Sequence, residues 1–293
     1  MKKTTLLNHS KMANDALYYI YKYIDTDINI EELADDLKVS RFHLQRVFKD
    51  VFGKNIYESI KQIRLHKAAN LLITNKHSTI SEITSVCGYA SQSSFNKVFR
   101  DRFGMSPKEW RRDGYRKYSA DIISTSDWAK NSEMTFENLK PKMVRMPKMT
   151  CVYIRHNGYG RTIKRTWEKL YMWALKMNAE NSIQIGLHHD NPSFTPLSEC
   201  SYIACLSIDG MKEGVETELP RTTIPGGIFA RFDLQGRYGD VLKFMQWVYN
   251  DWFPANGYET TTLPAYAVYE KNHFLSDDDL FVLSYYIPVT YSL

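Results

Sequence analysis

Apolar residues recur at helical spacing through the first 118 positions and alternate in short runs after about residue 142. Leu17, Ile20, Tyr21 and Ile24 line one side of a segment from Asp15 to Ile24, which predicts a helix. Ile30, Leu33, Ala34 and Leu37 predict a short second helix, followed by a Val39-Ser40 turn. Ser40 is placed to cap a third, since its hydroxyl can accept from a free first-turn N–H. The inner face of that third helix is Leu44, Val47, Phe48 and Val51, and its outer face carries Arg41, His43, Gln45, Arg46 and Lys49. Residues 56–75 continue the helical pattern through Ile60, Ile63, Leu65, Ala68, Leu71 and Leu72, with no Gly or Pro inside.

A second helix–turn–helix pattern follows. Ile80, Ile83 and Val86 precede Gly88, which stops the helix because glycine takes left-handed backbone angles without a Cβ clash. Ser91 caps the next helix, which faces inward with Phe95, Val98, Phe99 and Phe103. Its other face carries Gln92, Ser93, Asn96, Lys97 and Arg100, all hydrogen-bond donors. Phe48, Phe52 and Gly53 reappear as Phe99, Phe103 and Gly104, each shifted by 51. A plain helical hairpin explains one such unit. Two units carrying donors on their outer faces point to a major-groove reader. The helix between them, about 18 residues or roughly 27 Å, approaches the ~34 Å between successive major grooves on one DNA face. Ser106-Pro107 starts a closing helix, with Trp110 inward and Arg111, Arg112, Arg116 and Lys117 available to phosphates.

Charge sharpens this division. Residues 1–118 hold 21 basic and 13 acidic side chains, a net +8; residues 119–293 hold 17 and 20, a net −3. The first part is therefore the polyanion binder. No run of about 18 apolar residues predicts a membrane span, and the start of the chain is not a convincing signal peptide. The four cysteines lack metal-site or CxxC spacing and read as reduced cytosolic thiols.

The C-terminal half mixes strands and helices. Thr150–Ile154, Ser182–Leu187 and Tyr202–Ile208 read as strands, with a helix from Thr162 to about Met177. Gly227–Leu234, a helix over Val241–Trp252, then Tyr266–Glu270 and Leu280–Val289 repeat that order, and Gly158 and Ile163 recur as Gly236 and Val241, shifted by 78. The expected class is an all-α unit followed by an α+β unit built from two strand–helix–strand–strand repeats. Two sheets packed together would leave a ligand groove at their seam. Tyr153, Trp167, Tyr171, Tyr202, Phe229, Trp247, Tyr266, Tyr269 and Tyr286 are candidate aromatic walls, suited to planar or cationic ligands, or else core. Residues 119–140 read as a linker with Ile122, Ile123 and Trp128 free to dock. His188-His189-Asp190 falls in a loop, and adjacent histidines on a strand would face opposite ways, so no metal is assigned. No phosphate loop, HExxH or GxSxG is present.

The stretch IxEIxxxxGYxSQSxFxxxFRxxFGxSPxxWR, residues 80–111, resembles the signature of the AraC/XylS transcription regulators, and the likeness covers residues 13–117. It implies seven helices with base contacts from the third and sixth: Arg41, Gln45 and Arg46 on one, Gln92, Ser93, Asn96 and Lys97 on the other. Lys97 replaces the arginine common in relatives and lacks its planar fork. VYIRHNGYGRTIKRTWEKL (152–170), IPGGIFARFDLQGRYGDV (224–241) and YYIPV (285–289) are similar to the GyrI-like effector-binding domain. The domains expected are 10–118, a linker over 119–140, and 141–293. Ala267 stands where many relatives carry an acidic residue, leaving Glu270, Glu216 or Glu218 as substitutes. The implied partners are double-stranded promoter DNA, RNA polymerase and a small aromatic or lipophilic effector, with no cofactor and no membrane. A hydrolase of small electrophiles, or a protein-docking module, is the alternative reading of the second half.

Overall fold

The computed structural model describes residues 3–210 and 217–291. The N-terminal part is helical: α1 Lys3–Lys22, α2 Ile30–Asp36, α3 Arg41–Phe52, α4 Ile56–Thr74, α5 Ile80–Val86, α6 Gln92–Phe103 and α7 Pro107–Glu109. α7 runs without a break through a π-helical turn, Trp110–Gly114, into α8, Tyr115–Ser124. The local signals act as the chain's chemistry dictates. The Ser40 hydroxyl accepts from the His43 N–H at 3.2 Å and the Ser91 hydroxyl from Ser94 at 3.3 Å. Gly53 and Gly104 end α3 and α6 at φ +72°. α1 begins well before Asp15, and Ile24 lies beyond its end although buried.

The expected linker is largely structured and packed. α8 passes residue 118 and buries Ile122 and Ile123; a short α9, Asp127–Lys130, buries Ala129, and Phe136 packs near Phe244 and Trp247. Trp128 stays half exposed but lies under the Arg161 guanidinium, 4.0 Å from its ring centroid.

The C-terminal part corrects one expectation. Its strands are β1 Lys142–Met146, β2 Met149–Asn157, β3 Gln184–His188, β4 Ser201–Ser207, β5 Arg221–Ile224, β6 Gly227–Arg237, β7 Tyr258–Thr260, β8 Ala265–Lys271 and β9 Leu280–Tyr291. They form one nine-stranded sheet, ordered β1-β6-β9-β8-β3-β4-β2-β5 with β7 on β9, and not two packed sheets. The halves β2-β4-β3 and β6-β9-β8 join through the antiparallel β3·β8 pair. Each half gives its leading strand to the other: β1 pairs with β6, and β5 with β2.

That exchange forces the sheet to curl. β1 and β2 are six ladder steps apart in the sheet, about 29 Å if flat. Only Pro147-Lys148 connects them, and such a connection reaches about 11 Å. Pro225-Gly226 makes the matching connection, and the two cross: a Cβ on Gly226 would stand 2.8 Å from the Met146 carbonyl and the Lys148 nitrogen. Inside the curl Cys151, Tyr153, Ile185, Leu187, Ile203, Cys205, Phe229, Tyr266 and Tyr286 form one core. Outside it α10, Ile163–Lys176, and α11, Asp240–Trp247, pack with the alternate residues of the strands. α11 continues through a π-helical turn, Val248–Trp252, into α12, Phe253–Asn256.

The two units share this outer core. A single apolar cluster joins Leu72, Phe95, Phe99 and Trp110 to Phe194, Tyr249 and Phe253. α4 is buried along 13 of its residues because it packs on α3 and α5 on one side and on β7 and α12 on the other.

Candidate nucleic-acid interface and effector groove

α3 packs against α1, α2 and α4, and α6 against α5 and α7, each with its apolar face inward. On α6 Phe95, Phe99 and Phe103 are buried, while Gln92, Ser93, Asn96 and Lys97 are exposed and make no side-chain hydrogen bond among the described residues. On α3 Arg46 is exposed, with Nη2 3.1 Å from His43 Nδ1, and Gln45 is half-buried. Arg41 is held by Glu31 at 2.7 Å, a surface pair that costs little to exchange for another partner. Phe42 was not singled out by its pattern, yet its ring is 83% exposed in the first turn of α3. Only its place in the sequence, between the outward positions Arg41 and His43 of α3, signals it. Arg64 ties the units together: it donates to the carbonyls of Ile24 and Thr26 and lies under Gly88, where a Cβ would come within 2.7 Å of the guanidinium.

In the C-terminal domain the candidate ligand residues do not share one wall. Tyr153, Phe229 and Tyr266 lie inside the curl, where Tyr266 stacks on Tyr286 at 4.8 Å and its hydroxyl has no partner among the described residues. Trp167, Tyr202 and Tyr269 lie on the helix side and form a buried hydrogen-bonded chain, Trp167 Nε1 donating to Tyr202 at 3.0 Å and the two phenols 3.2 Å apart. Burial pushes the acidity of both phenols down, their pKa values rising well above the usual tyrosine range. Tyr171 is exposed on the outer side of α10, and Trp247 is half-buried against Phe136. Glu270 follows Tyr269 at a β-bulge and lines a groove of about 550 Å³ with Arg231, Asp233, Val268, Tyr269 and Ser284. Ala267 is fully buried on the helix side. Glu218 pairs loosely with Lys176 at the surface, 3.9 Å away, and Glu216 lies outside the described residues.

Residues 139–290 match the GyrI-like small molecule binding domain, and residues 33–113 match a helix-turn-helix domain family. The chain is 34% identical over 105 residues to the regulatory protein SoxS of Escherichia coli (strain K12), covering 36% of this chain and 97% of SoxS. It is an AraC/XylS-family regulator carrying a GyrI-like domain. A second relative, the probable transcription factor PqrA of Proteus vulgaris, is 32% identical over 109 residues, 35% of this chain and 88% of PqrA. The solved C-terminal domain of AraT, a response regulator from Geobacillus stearothermophilus, is 33% identical, with 34% of this chain and 84% of that one covered and a TM-score of 0.33. This AraC/XylS-family chain is a DNA-binding transcription regulator, its relatives are transcription regulators, and none of its described helices is long and apolar enough to cross a membrane.

The regulator's two domains meet at the loop the sequence offered as His188-His189-Asp190. Among the described residues no three His, Cys, Asp or Glu side chains are grouped to hold a metal. Instead the three side chains have separate partners. His188 sits among the rings of Tyr159, Tyr202 and Tyr285, and burial drives its pKa down to about 3. His189 stacks on Tyr21 of α1 and is likewise held neutral by burial. Asp190 lies 3.1 Å from His66 of α4 and accepts from the Ser201 N–H at 2.8 Å. Burial disfavours its charge, but these contacts prevail and keep its pKa below the usual carboxylate value. Lys67, also on buried α4, donates to the Thr262 carbonyl; burial lowers its pKa to about 8.

Proposed function

We propose that one copy of this regulator reads two adjacent major-groove segments of promoter DNA, with Arg41, Phe42, Gln45 and Arg46 at one and Gln92, Ser93, Asn96 and Lys97 at the other. The observation that carries this is the contrast between α3 and α6, whose polar faces are open, and α4, which is buried between them. α4 has 19 residues, about 28 Å of stiff helix against the ~34 Å repeat of the groove. Lys97 acts as a point charge toward a phosphate or a single base acceptor.

The GyrI-like domain takes a small aromatic or lipophilic effector at the open end of the curl. Glu270 has no partner there among the described residues, whereas Asp233 is engaged by Arg231, Lys142 and Ser284. An unpaired carboxylate beside Val268 on the inner face of the sheet favours a cationic head on that effector. The protein works in the cytoplasm, contacts RNA polymerase at the promoter, and senses its effector without catalysing a reaction; the Trp167–Tyr202–Tyr269 chain is buried core.

The experiment is selection of a bound duplex from random DNA, then fluorescence anisotropy with Arg46→Ala and Lys97→Ala. Each is expected to weaken specific binding by ~1–3 kcal/mol, with Arg46→Ala relaxing the preference at one half of the site and Lys97→Ala acting at the other. Unchanged affinity in both variants would remove the two-groove reading. For the effector, Glu270→Gln is expected to abolish the preference for a cationic over a neutral aromatic of equal size.

A further inference from the structure

A cleft of about 380 Å³ separates α1, the α3–α4 turn and α4 from the first half of the curled sheet. Its lining includes Tyr21, Lys54, Gln62, Arg155, Asp190 and Glu199. The charges in it are unevenly matched. Asp190 is committed to His66 and to the Ser201 N–H, and Glu199 to Arg102 at 2.6 Å. Among the described residues the two cations have only neutral partners: Lys54 donates to Gln62 at 2.6 Å, and Arg155 donates to the Ser201 hydroxyl at 2.6 Å and to Asn14 at 3.3 Å. Both are half-buried, so neither is fully compensated by water. Burial lowers the Lys54 pKa, with Asp190, Glu199 and Glu58 pulling it the other way and Arg155 adding to the fall.

We propose that this cleft binds a small oxyanion, a phosphate or carboxylate group, clamped between Lys54 and the Arg155 guanidinium. Arginine's planar fork suits such a group, and lysine supplies the second charge. The site lies on the opposite half of the domain from Glu270 and does not depend on the effector reading. Its position gives it leverage. Lys54 directly follows Gly53, which ends α3, while Arg155 belongs to β2. An anion held by both cross-links a DNA-reading helix to the GyrI-like domain. A free anion fits better than a DNA phosphate, because Lys54 sits beyond the C-terminal end of α3 and Arg155 belongs to the other domain.

The test uses the full chain and inorganic phosphate at constant ionic strength, read by titration calorimetry and thermal melting. Wild type is expected to show saturable binding. Lys54→Met and Arg155→Met should each weaken it about tenfold, the loss typical of a hydrogen bond to a charged group. Lys164→Met, an equal charge change at an exposed site, and Glu270→Gln should leave it unchanged. Lys54→Arg, which keeps the charge, should retain binding and guards against a variant that fails to fold. Acetate that competes with phosphate assigns the site to carboxylates as well; acetate that does not assigns it to phosphate. A non-saturable response, equal responses in all variants, or stoichiometric displacement of phosphate by a nonspecific duplex would overturn the proposal.

Discussion

Tyr21 of α1 lies flat against His189 of the β3–β4 loop, with ring centroids 3.7 Å apart and planes 16° from parallel. The pair belongs to different domains, and it stands beside the His66–Asp190 contact. The DNA-binding unit is therefore fastened to the GyrI-like domain at its first helix and along its connecting helix.

Asp190→Ala removes one member of a buried pair and leaves His66 facing an empty site. Loss of about 3 kcal/mol of stability is expected, measured by urea unfolding. A variant as stable as wild type would show that α4 does not depend on this contact.

Acid should weaken the fold from near pH 6.5 downward. Burial lowers the folded-state pKa of His188 to about 3 and that of His273 to about 4, against an ordinary value of ~6.5. Between those values the unfolded chain binds protons that the folded one refuses. Stability is full above about pH 6.5 and falls as the pH drops below it, by up to ~1.4 kcal/mol per pH unit for each histidine. His188→Gln should reduce that slope, as read by unfolding curves from pH 7.5 to 5.

Phe42→Ala should leave stability unchanged, since the ring is already 83% exposed, and should weaken operator binding by about 1 kcal/mol if the ring covers a thymine methyl. Replacing each thymine of the operator by uracil tests the pairing. Wild type should lose affinity at one position at which Phe42→Ala is indifferent.

Gly88→Ala should destabilise the second helix–turn–helix unit by about 1–2 kcal/mol for its left-handed backbone alone. The new methyl would also push the Arg64 guanidinium from below Gly88. A melting temperature equal to that of wild type would be the contrary result.

Much of this fold was legible in the sequence because its signals are local. Ser40, Gly53, Ser91 and Gly104 mark helix ends through their own hydrogen bonds or backbone angles. The 78-residue shift also relates β1 to β5 and β2 to β6. Pairing was not legible. Whether residues 142–146 pair with their neighbour in sequence or with β6 depends on closure of the whole sheet, which no short window contains. For the same reason the aromatic residues of the second half could not be sorted in advance. Tyr266 and Tyr269 both read as wall candidates, yet strand alternation sends one inside the curl and the other against α10. Phe42 escaped notice because an exposed phenylalanine looks like core until its surroundings are known.

The exchange of β1 and β5 gives this domain an unusual dependence on its own duplication. A chain with one repeat would present a leading strand with nowhere to pair and a bare edge waiting for one, which is the condition for a strand-swapped homodimer. In the second half of this regulator each repeat completes the other's edge within one chain, so neither is a self-contained module.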